Sequence, residues 1–245
     1  MKQKLVVMVL ALFACGVLMA PSVARADTDL GLQLSSNGVT KTVCDDDIDF
    51  AGCTHNANDG LNPMLGAASF SGSVDKWSIN VATGLGNPVL TLPELLDLND
   101  VSTTALAGNK TLTLILTEIG LTAPLGNQIL NSSIGGTSSL GTTALTVQSW
   151  YSASNTAFCI TTGCGTKVTD MNFTGTPFAQ GTNGLVNLGG TYSITMVITI
   201  DTGGGAPDTT SFDSRLNIPE PATLSVLGAG LLAFGTGLRR KLARG

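Results

Sequence analysis

The chain has 245 residues, 43% hydrophobic and only 12% charged, which is enough to build one hydrophobic core with appendages. Between Asp27 and Asn217, five basic side chains stand against sixteen carboxylates, a formal charge of −11. So acidic a body has no basic footprint for a phosphate backbone, which excludes nucleic acid as a partner.

The N-terminus has the pattern of a secretory signal peptide over residues 1–26. Two lysines precede an apolar run at 5–20, and a small-x-small cleavage pattern ends at Ala26. We therefore expect the secretory translocase to export the chain and signal peptidase to cut between Ala26 and Asp27. Two alternatives are an uncleaved membrane anchor and lipoprotein processing at Cys15. The apolar run is short for a membrane span, which argues against the anchor, and it continues beyond Cys15, which argues against lipoprotein processing.

Residues 27–201 have a dominant hydrophobic period of two, which indicates strands rather than helices. The clearest case is 192–200, where apolar residues occupy one face and mostly Ser and Thr the other, so we expect one face in the core and one in water. Weaker alternation occurs at 30–34, 77–81, 112–114 and 145–148.

Gly-rich clusters between these runs predict turns. They lie at 84–88, 107–110, 135–139 and 201–207. One helical turn is expected at 92–98, where Pro93 would open it. Together these patterns predict an all-β protein with an antiparallel β-sandwich or jelly-roll-like core.

Four cysteines remain after export into an oxidising compartment, which predicts two disulfides. Three connectivities exist, and we favour the local pairs Cys44–Cys53 and Cys159–Cys164 because each encloses a short polar loop. Zinc is the alternative, but neither spacing is Cys-x-x-Cys.

An acidic segment lies inside the first cysteine pair. Asp45, Asp47 and Asp49 supply the hard oxygen ligands that calcium prefers. Their spacing does not match an EF-hand, so we favour a solvated acidic loop without metal.

The catalytic inventory is thin. His55 is the only histidine, and the core has only two glutamates, Glu94 and Glu118, to act as the carboxyl pair of a glycoside hydrolase. The chain has no Gly-x-Ser-x-Gly elbow and no phosphate-binding Gly-x-x-x-x-Gly-Lys. We expect no enzyme and no cofactor, with a hydrolase as the last alternative.

Aromatic side chains are candidate platforms for sugar rings. Alternation places Trp77 on the core face of its strand. Trp150 and Tyr151 are adjacent, so a strand would point them to opposite faces, and we expect one of the two to be exposed.

The C-terminal part carries a second membrane signal. Residues 202–217 read as a terminal strand or a linker, and 222–238 are uncharged. As a helix these 17 residues would reach about 25 Å, slightly less than the roughly 30 Å hydrocarbon layer. Basic residues follow at Arg239, Arg240 and Lys241, so the positive-inside rule places the tail end in the cytoplasm and the core outside.

The order of these features in 218–245 resembles the PEP-CTERM sorting signal of Gram-negative bacteria. Pro219, Glu220 and Pro221 match its recognition motif, and the three basic residues after the span match its retention cluster. The resemblance implies processing by exosortase, a membrane-embedded cysteine protease-transpeptidase, and an association with exopolysaccharide and biofilm.

These patterns lead to one hypothesis for the whole chain. In this hypothesis the chain is a non-enzymatic protein that passes through the inner membrane with its core in the periplasm and reaches the outer surface or extracellular matrix. A structural or adhesive role in the exopolysaccharide layer is favoured. The alternative is a carbohydrate-binding module without catalysis, with extracellular polysaccharide as its partner.

Overall fold

The computed structural model describes residues 28–45, 65–106, 111–139, 144–203 and 207–219. Within these ranges the chain forms twelve strands and no helix. The strands are β1 (Asp29–Ser36), β2 (Val39–Cys44), β3 (Ala67–Val74), β4 (Trp77–Leu85), β5 (Glu94–Ala105), β6 (Thr111–Leu121), β7 (Gly126–Ser138), β8 (Ala144–Ser152), β9 (Thr166–Thr174), β10 (Phe178–Leu188), β11 (Tyr192–Asp201) and β12 (Asp208–Asn217).

The strands form two six-stranded sheets in which every pairing is antiparallel. The first sheet has the order β2-β1-β6-β11-β8-β9, and the second has the order β10-β7-β12-β5-β4-β3. The all-β, antiparallel prediction is confirmed. The predicted signal peptide and the membrane helix at 222–238 lie outside the described residues, and no helix within them is long and apolar enough to cross a membrane.

The inward faces of the two sheets share one hydrophobic core, which makes the fold a β-sandwich. Alternation in β1 buries three leucines, and β11 contributes five core residues in the same way. Trp77 and Tyr192 are the largest fully buried side chains. The prediction that Trp77 belongs to the core is therefore confirmed.

Two local predictions are wrong. Residues 92–98 do not form a helical turn, because from Glu94 onward they belong to β5, which pairs with β4 and β12 and buries Leu95, Leu96 and Leu98. Residues 135–138 are not a turn either, because they continue β7. Gly136 is needed there for close packing, since a Cβ would lie 2.7 Å from atoms of Phe178 and Phe212.

The segment after residue 207 is a strand rather than a linker. β12 pairs with β5 on one side and β7 on the other, so it lies inside the second sheet. The apolar alternation is weak there because buried polar residues occupy inward positions, namely Asp208, Thr210 and Ser214. Asp208 accepts hydrogen bonds from the hydroxyl groups of Ser138 and Ser139.

The connection between β8 and β9, residues 153–165, lies on the outer face of the first sheet; we call it the cysteine loop. It covers Trp150, Ile115 and Val197 with its own Phe158 and Ile160. Ser193 also donates a hydrogen bond to the Thr156 carbonyl at 2.7 Å. The outward face of β11 is therefore shielded from water over the first half of the strand. This corrects the expectation that this face is exposed to water.

Candidate functional site

A pocket of about 280 Å³ opens at one end of the sandwich, and we call it the end pocket. Its walls are two connections: residues 86–93 between β4 and β5, and residues 122–125 between β6 and β7. Five aliphatic residues line it, namely Leu90, Leu92, Leu95, Leu121 and Ala123. Six polar residues complete the lining, namely Thr28, Asn87, Thr91, Glu94, Glu118 and Thr122.

Glu118 forms the deepest polar part of the pocket and is 0% exposed. The alternation of β6 places it on the core side, in line with Leu112, Leu114 and Leu116. Its Oε1 accepts a hydrogen bond from the Asn87 backbone N–H at 3.0 Å. Gly86 makes this approach possible, because a Cβ there would lie 2.9 Å from Glu118 Oε2.

The first wall is held by contacts to the backbone around Asn87. The Thr28 hydroxyl donates to the Asn87 carbonyl at 3.0 Å, and the Gly86 N–H donates to the Gly66 carbonyl at 2.9 Å. Gly66 in turn donates its N–H to Asp45 Oδ2 at 2.6 Å. A buried carboxylate therefore anchors the loop that supports this wall.

The second wall is braced by Tyr192. Its hydroxyl group donates to the Pro124 carbonyl at 3.2 Å, and its ring packs 5.8 Å from that of Tyr151, centroid to centroid. Burial raises the pKa of Tyr192 well above its usual value of 10, with further raising by the nearby Glu118 and Tyr151. Tyr192 is thus a neutral hydrogen-bond donor at physiological pH.

Glu94 lies at the rim, where it is partly exposed. Its carboxylate lies 3.7 Å from the Arg215 guanidinium, which also lies 3.4 Å from Asp97. Burial raises the pKa of Asp97, while Arg215 lowers it. The rim therefore carries a small network of one cation and two carboxylates.

The structure brings together the two glutamates that the sequence analysis singled out, since Glu94 and Glu118 line the same pocket. His55 lies outside the described residues. Sequence reasoning did not find the pocket itself, but one signal was available: Glu118 occupies a core-facing position in an otherwise apolar strand.

Asp45 has a structural role in place of the ligand role considered for it. Its two carboxylate oxygens accept the backbone N–H groups of Leu30, at 3.1 Å, and Gly66. Asp47 and Asp49 lie outside the described residues. Within those residues, no group of three or more metal-ligating side chains is present.

Cys159 and Cys164 form a disulfide, the second of the two pairs favoured from the sequence. Cys44 is also disulfide-bonded, and its expected partner Cys53 lies outside the described residues. The disulfide closes the cysteine loop over the first sheet.

The expectation of an exposed aromatic platform is wrong. Trp150 and Tyr151 do point to opposite faces, but Trp150 is only 7% exposed because the cysteine loop covers it. Tyr151 is partly buried against the core. Neither ring is exposed as a stacking surface.

The sorting motif begins where the fold ends, beside the end pocket. The Ile218 N–H donates to the Pro93 carbonyl at 2.8 Å, and the Ile218 side chain is buried. The next residue, Pro219, is exposed. Glu220, Pro221 and the basic cluster Arg239, Arg240 and Lys241 lie outside the described residues.

Comparisons with known proteins give one family match. The family model of the PEP-CTERM protein-sorting motif matches residues 217–241. No curated protein matches the chain.

Solved structures show only weak similarity. A CBM4 structure is 13% identical with a TM-score of 0.31, covering 62% of this chain and 94% of that chain. TmCBM61 in complex with β-1,4-galactotriose is 12% identical with a TM-score of 0.29, covering 60% and 91%. Broad Bean Stain Virus is 10% identical with a TM-score of 0.30, covering 82% and 88%. Since all three TM-scores are below 0.5, the fold described above rests on its strand pairing alone.

The family match and the position of Pro219 concern the same stretch of chain. Processing by exosortase follows from the motif, as does export with membrane-anchored sorting. The chain therefore carries a PEP-CTERM protein-sorting motif at its C-terminal tail, which makes it an exosortase-sorted protein.

Proposed function

We propose that this exosortase-sorted chain is a non-enzymatic surface or matrix protein with a structural or adhesive role in the exopolysaccharide layer of a biofilm. The observation that carries the proposal is the junction at Ile218. All twelve described strands precede the exposed Pro219, so processing beyond that point removes none of the described strands.

The outer face of the first sheet supports contact with a hydrated polymer. Thr113, Thr199 and Thr146 lie side by side on three neighbouring strands. Thr146 also donates to the side-chain carbonyl of Asn172 on the edge strand, at 2.9 Å. A surface rich in hydroxyl groups can exchange hydrogen bonds with sugar hydroxyl groups.

The contacts of the two glutamates favour binding over hydrolysis. A glycoside hydrolase needs one carboxyl group as proton donor and a second as base or nucleophile. Glu118 instead accepts a backbone N–H, and Glu94 pairs with Arg215. We therefore assign both to structure and ligand contact.

The test compares the wild-type protein with a variant in which Pro219, Glu220 and Pro221 are all changed to Ala. Western blotting of membrane and matrix fractions from the producing cells should find the wild type processed and in the matrix. The triple variant should remain unprocessed in the membrane fraction. Asn187→Ala, an exposed change on β10, is the control and should behave as wild type.

The adhesive role is tested separately from the sorting. Cells that lack the protein should retain less exopolysaccharide, and the wild-type gene should restore retention while the triple variant does not. Equal retention in all three strains would contradict the role, and matrix delivery of the triple variant would contradict the sorting route.

A carbohydrate-binding module without catalysis is the second candidate. The covered Trp150 removes the aromatic platform that first suggested it, but the end pocket provides a concave site with polar groups in its place.

A further inference from the structure

We infer that the end pocket binds a single neutral sugar ring and is the point at which the protein holds its polysaccharide. The biological setting of this inference rests on the proposed matrix function. The binding itself rests on the size, lining and position of the pocket.

The size of the pocket suits one ring. Its volume of about 280 Å³ lies just below the range of small-molecule sites, roughly 300 to 1,000 Å³. A pyranose of about a dozen non-hydrogen atoms would occupy it, and a chain of several rings would extend past the rim. Leu92 at the rim is 49% exposed, whereas Leu95 and Leu121 are buried, so the lining runs from an exposed rim to a buried base.

The polar lining determines which sugars fit. Glu94, which is partly exposed at the rim, offers carboxylate oxygens that accept hydrogen bonds from sugar hydroxyl groups, and such charge-assisted bonds are stronger than neutral ones. No cationic side chain is among the residues that line the pocket in the described part of the chain. A uronic acid or a sulfated sugar would therefore bring a negative charge toward two carboxylates, with Arg215, which Glu94 shares with Asp97, as the nearby cation.

A further acceptor points to the same kind of ligand. The side-chain oxygen of Asn87, a lining residue, is buried and has no hydrogen-bond partner in the described part of the chain. Buried acceptors without partners cost about 1 to 3 kcal/mol, so a ligand that donates a hydrogen bond there would gain affinity. Sugar hydroxyl groups are such donors.

The apolar lining completes the match. Leu90, Leu95 and Leu121 present aliphatic surface to the cavity. The C–H groups of a pyranose ring form an apolar face, which can pack on such side chains while the hydroxyl groups at the ring edge reach the Glu94 carboxylate.

The position of the pocket links it to sorting. Pro93, in the wall between Leu92 and Glu94, accepts the Ile218 N–H, so the sorting tail leaves the fold beside the pocket. While the tail is in the membrane, that end of the sandwich is held close to the point of anchoring.

The experiment uses the exported protein purified from the producing cells. Isothermal titration and saturation-transfer NMR would measure binding of the methyl glycosides of glucose, galactose, mannose, rhamnose and N-acetylglucosamine, with methyl glucuronide as the anionic probe. At least one neutral glycoside should bind in the millimolar range, and the glucuronide should bind at least about tenfold more weakly. Failure of all five neutral probes, or equal binding of the glucuronide, would overturn the inference.

Two variants locate the site. Glu94→Gln keeps the shape of the side chain and removes its charge, and it should weaken the best neutral glycoside about tenfold. Thr122→Trp should block the pocket and abolish binding. Asp170→Asn is the matched control, since Asp170 is also a partly exposed carboxylate paired with a cation, Lys167, but lies on β9 away from the pocket. Unchanged affinity in both pocket variants would place the sugar elsewhere and overturn the inference.

The outcomes separate this inference from the proposed function. If the protein reaches the matrix and retains polysaccharide but binds no neutral glycoside, the proposed function stands and the sugar ligand of the end pocket is contradicted. If the protein binds a neutral sugar in the pocket but does not affect polysaccharide retention, the sugar ligand stands and the matrix role is contradicted.

Discussion

Single buried carboxylates fasten the loops of this sandwich to its strands. Asp45 receives two backbone N–H groups, from Leu30 in β1 and from Gly66 before β3. Because Asp45 is only 3% exposed, water cannot replace either bond if it is lost. The position of the wall around Asn87 therefore depends on a residue outside the pocket.

Asp45→Asn should lower the free energy of unfolding by about 3 kcal/mol, because an amide N–H₂ would face a backbone N–H in place of an acceptor. Urea denaturation followed by circular dichroism measures the change. Asp170→Asn, at a partly exposed site, should change stability by less than about 1 kcal/mol. If Asp45 were instead a calcium ligand, added calcium would stabilise the wild type but not the variant.

Tyr192 gives the fold a dependence on alkaline pH. Burial raises its pKa in the folded protein above the value of 10 that it has when unfolded, with Glu118 and Tyr151 adding to the shift. The folded state therefore holds the proton more tightly, and stability is fully present below pH 10 and falls as pH rises above it.

Tyr192→Phe should remove this alkaline loss. At neutral pH the variant should be about 1 kcal/mol less stable, because the bond to the Pro124 carbonyl is lost. Urea unfolding at pH 8 and pH 11 should show a smaller decline for Tyr192→Phe than for the wild type. Tyr151→Phe is the control and should retain the decline; an equal decline in all three proteins would contradict this account of Tyr192.

At the scale of elements, Gly136 allows close packing within strand β7 and does not form a turn. A Cβ on Gly136 would lie 2.7 Å from Phe178 and Phe212 and would also meet the Ser211 carbonyl. Gly136→Ala should therefore cost about 1 to 3 kcal/mol through overpacking. Gly163→Ala, where a Cβ would have open space, should be close to neutral. Thermal unfolding of both variants measures the difference.

The cysteine loop is an element without regular structure that nevertheless completes a second apolar cluster. Its disulfide closes a short loop, and a chain-entropy estimate gives a contribution of about 2 kcal/mol. Phe158 and Ile160 of this loop cover Trp150. Loss of the disulfide should loosen the cover and expose the indole.

Cys159→Ser combined with Cys164→Ser should therefore shift tryptophan fluorescence to longer wavelength without unfolding the sandwich. The chain has only two tryptophans, and Trp77 is 0% exposed in the core, so the shift should come from Trp150. Trp150→Phe in the same background removes the shift if this assignment holds. A shift that persists without Trp150 would mean that the main core had opened.

These elements show how far the sequence predicts the structure. Alternation, clear in β11 and weaker in β1, β4, β6 and β8, identified these strands, because one face of each contributes apolar side chains to the common core. β5 and β12 were harder to predict, since tertiary pairing overrides a Pro93 helix signal in one case and buried polar residues interrupt the alternation in the other. Local pattern does not reveal the cover over Trp150 or the meeting of Glu94 and Glu118, because both depend on how a loop or two strand ends pack in three dimensions.

At the scale of the whole molecule, the folded sandwich ends and the sorting tail begins at one residue, Ile218. β12 is an inner strand of the second sheet, and Ile218, the residue after it, is buried and bonded to Pro93. Pro219 is exposed, so a protease can reach it without disturbing the sheet. Cutting before Ile218 would first require β12 to leave the bonds it makes with both neighbours.

The mature protein should therefore end at or after Pro219, which mass spectrometry of the matrix form would show directly. A chain that stops after Ile218 should keep the unfolding free energy of the mature form to within about 1 kcal/mol, since every described strand is present. A chain that stops after Pro207 lacks β12, which would leave β5 and β7 unpaired in the middle of the sheet, and it should not fold cooperatively. A mature terminus inside β12, in a protein that still unfolds cooperatively, would show that the strand is dispensable and that the division between fold and tail lies earlier in the chain.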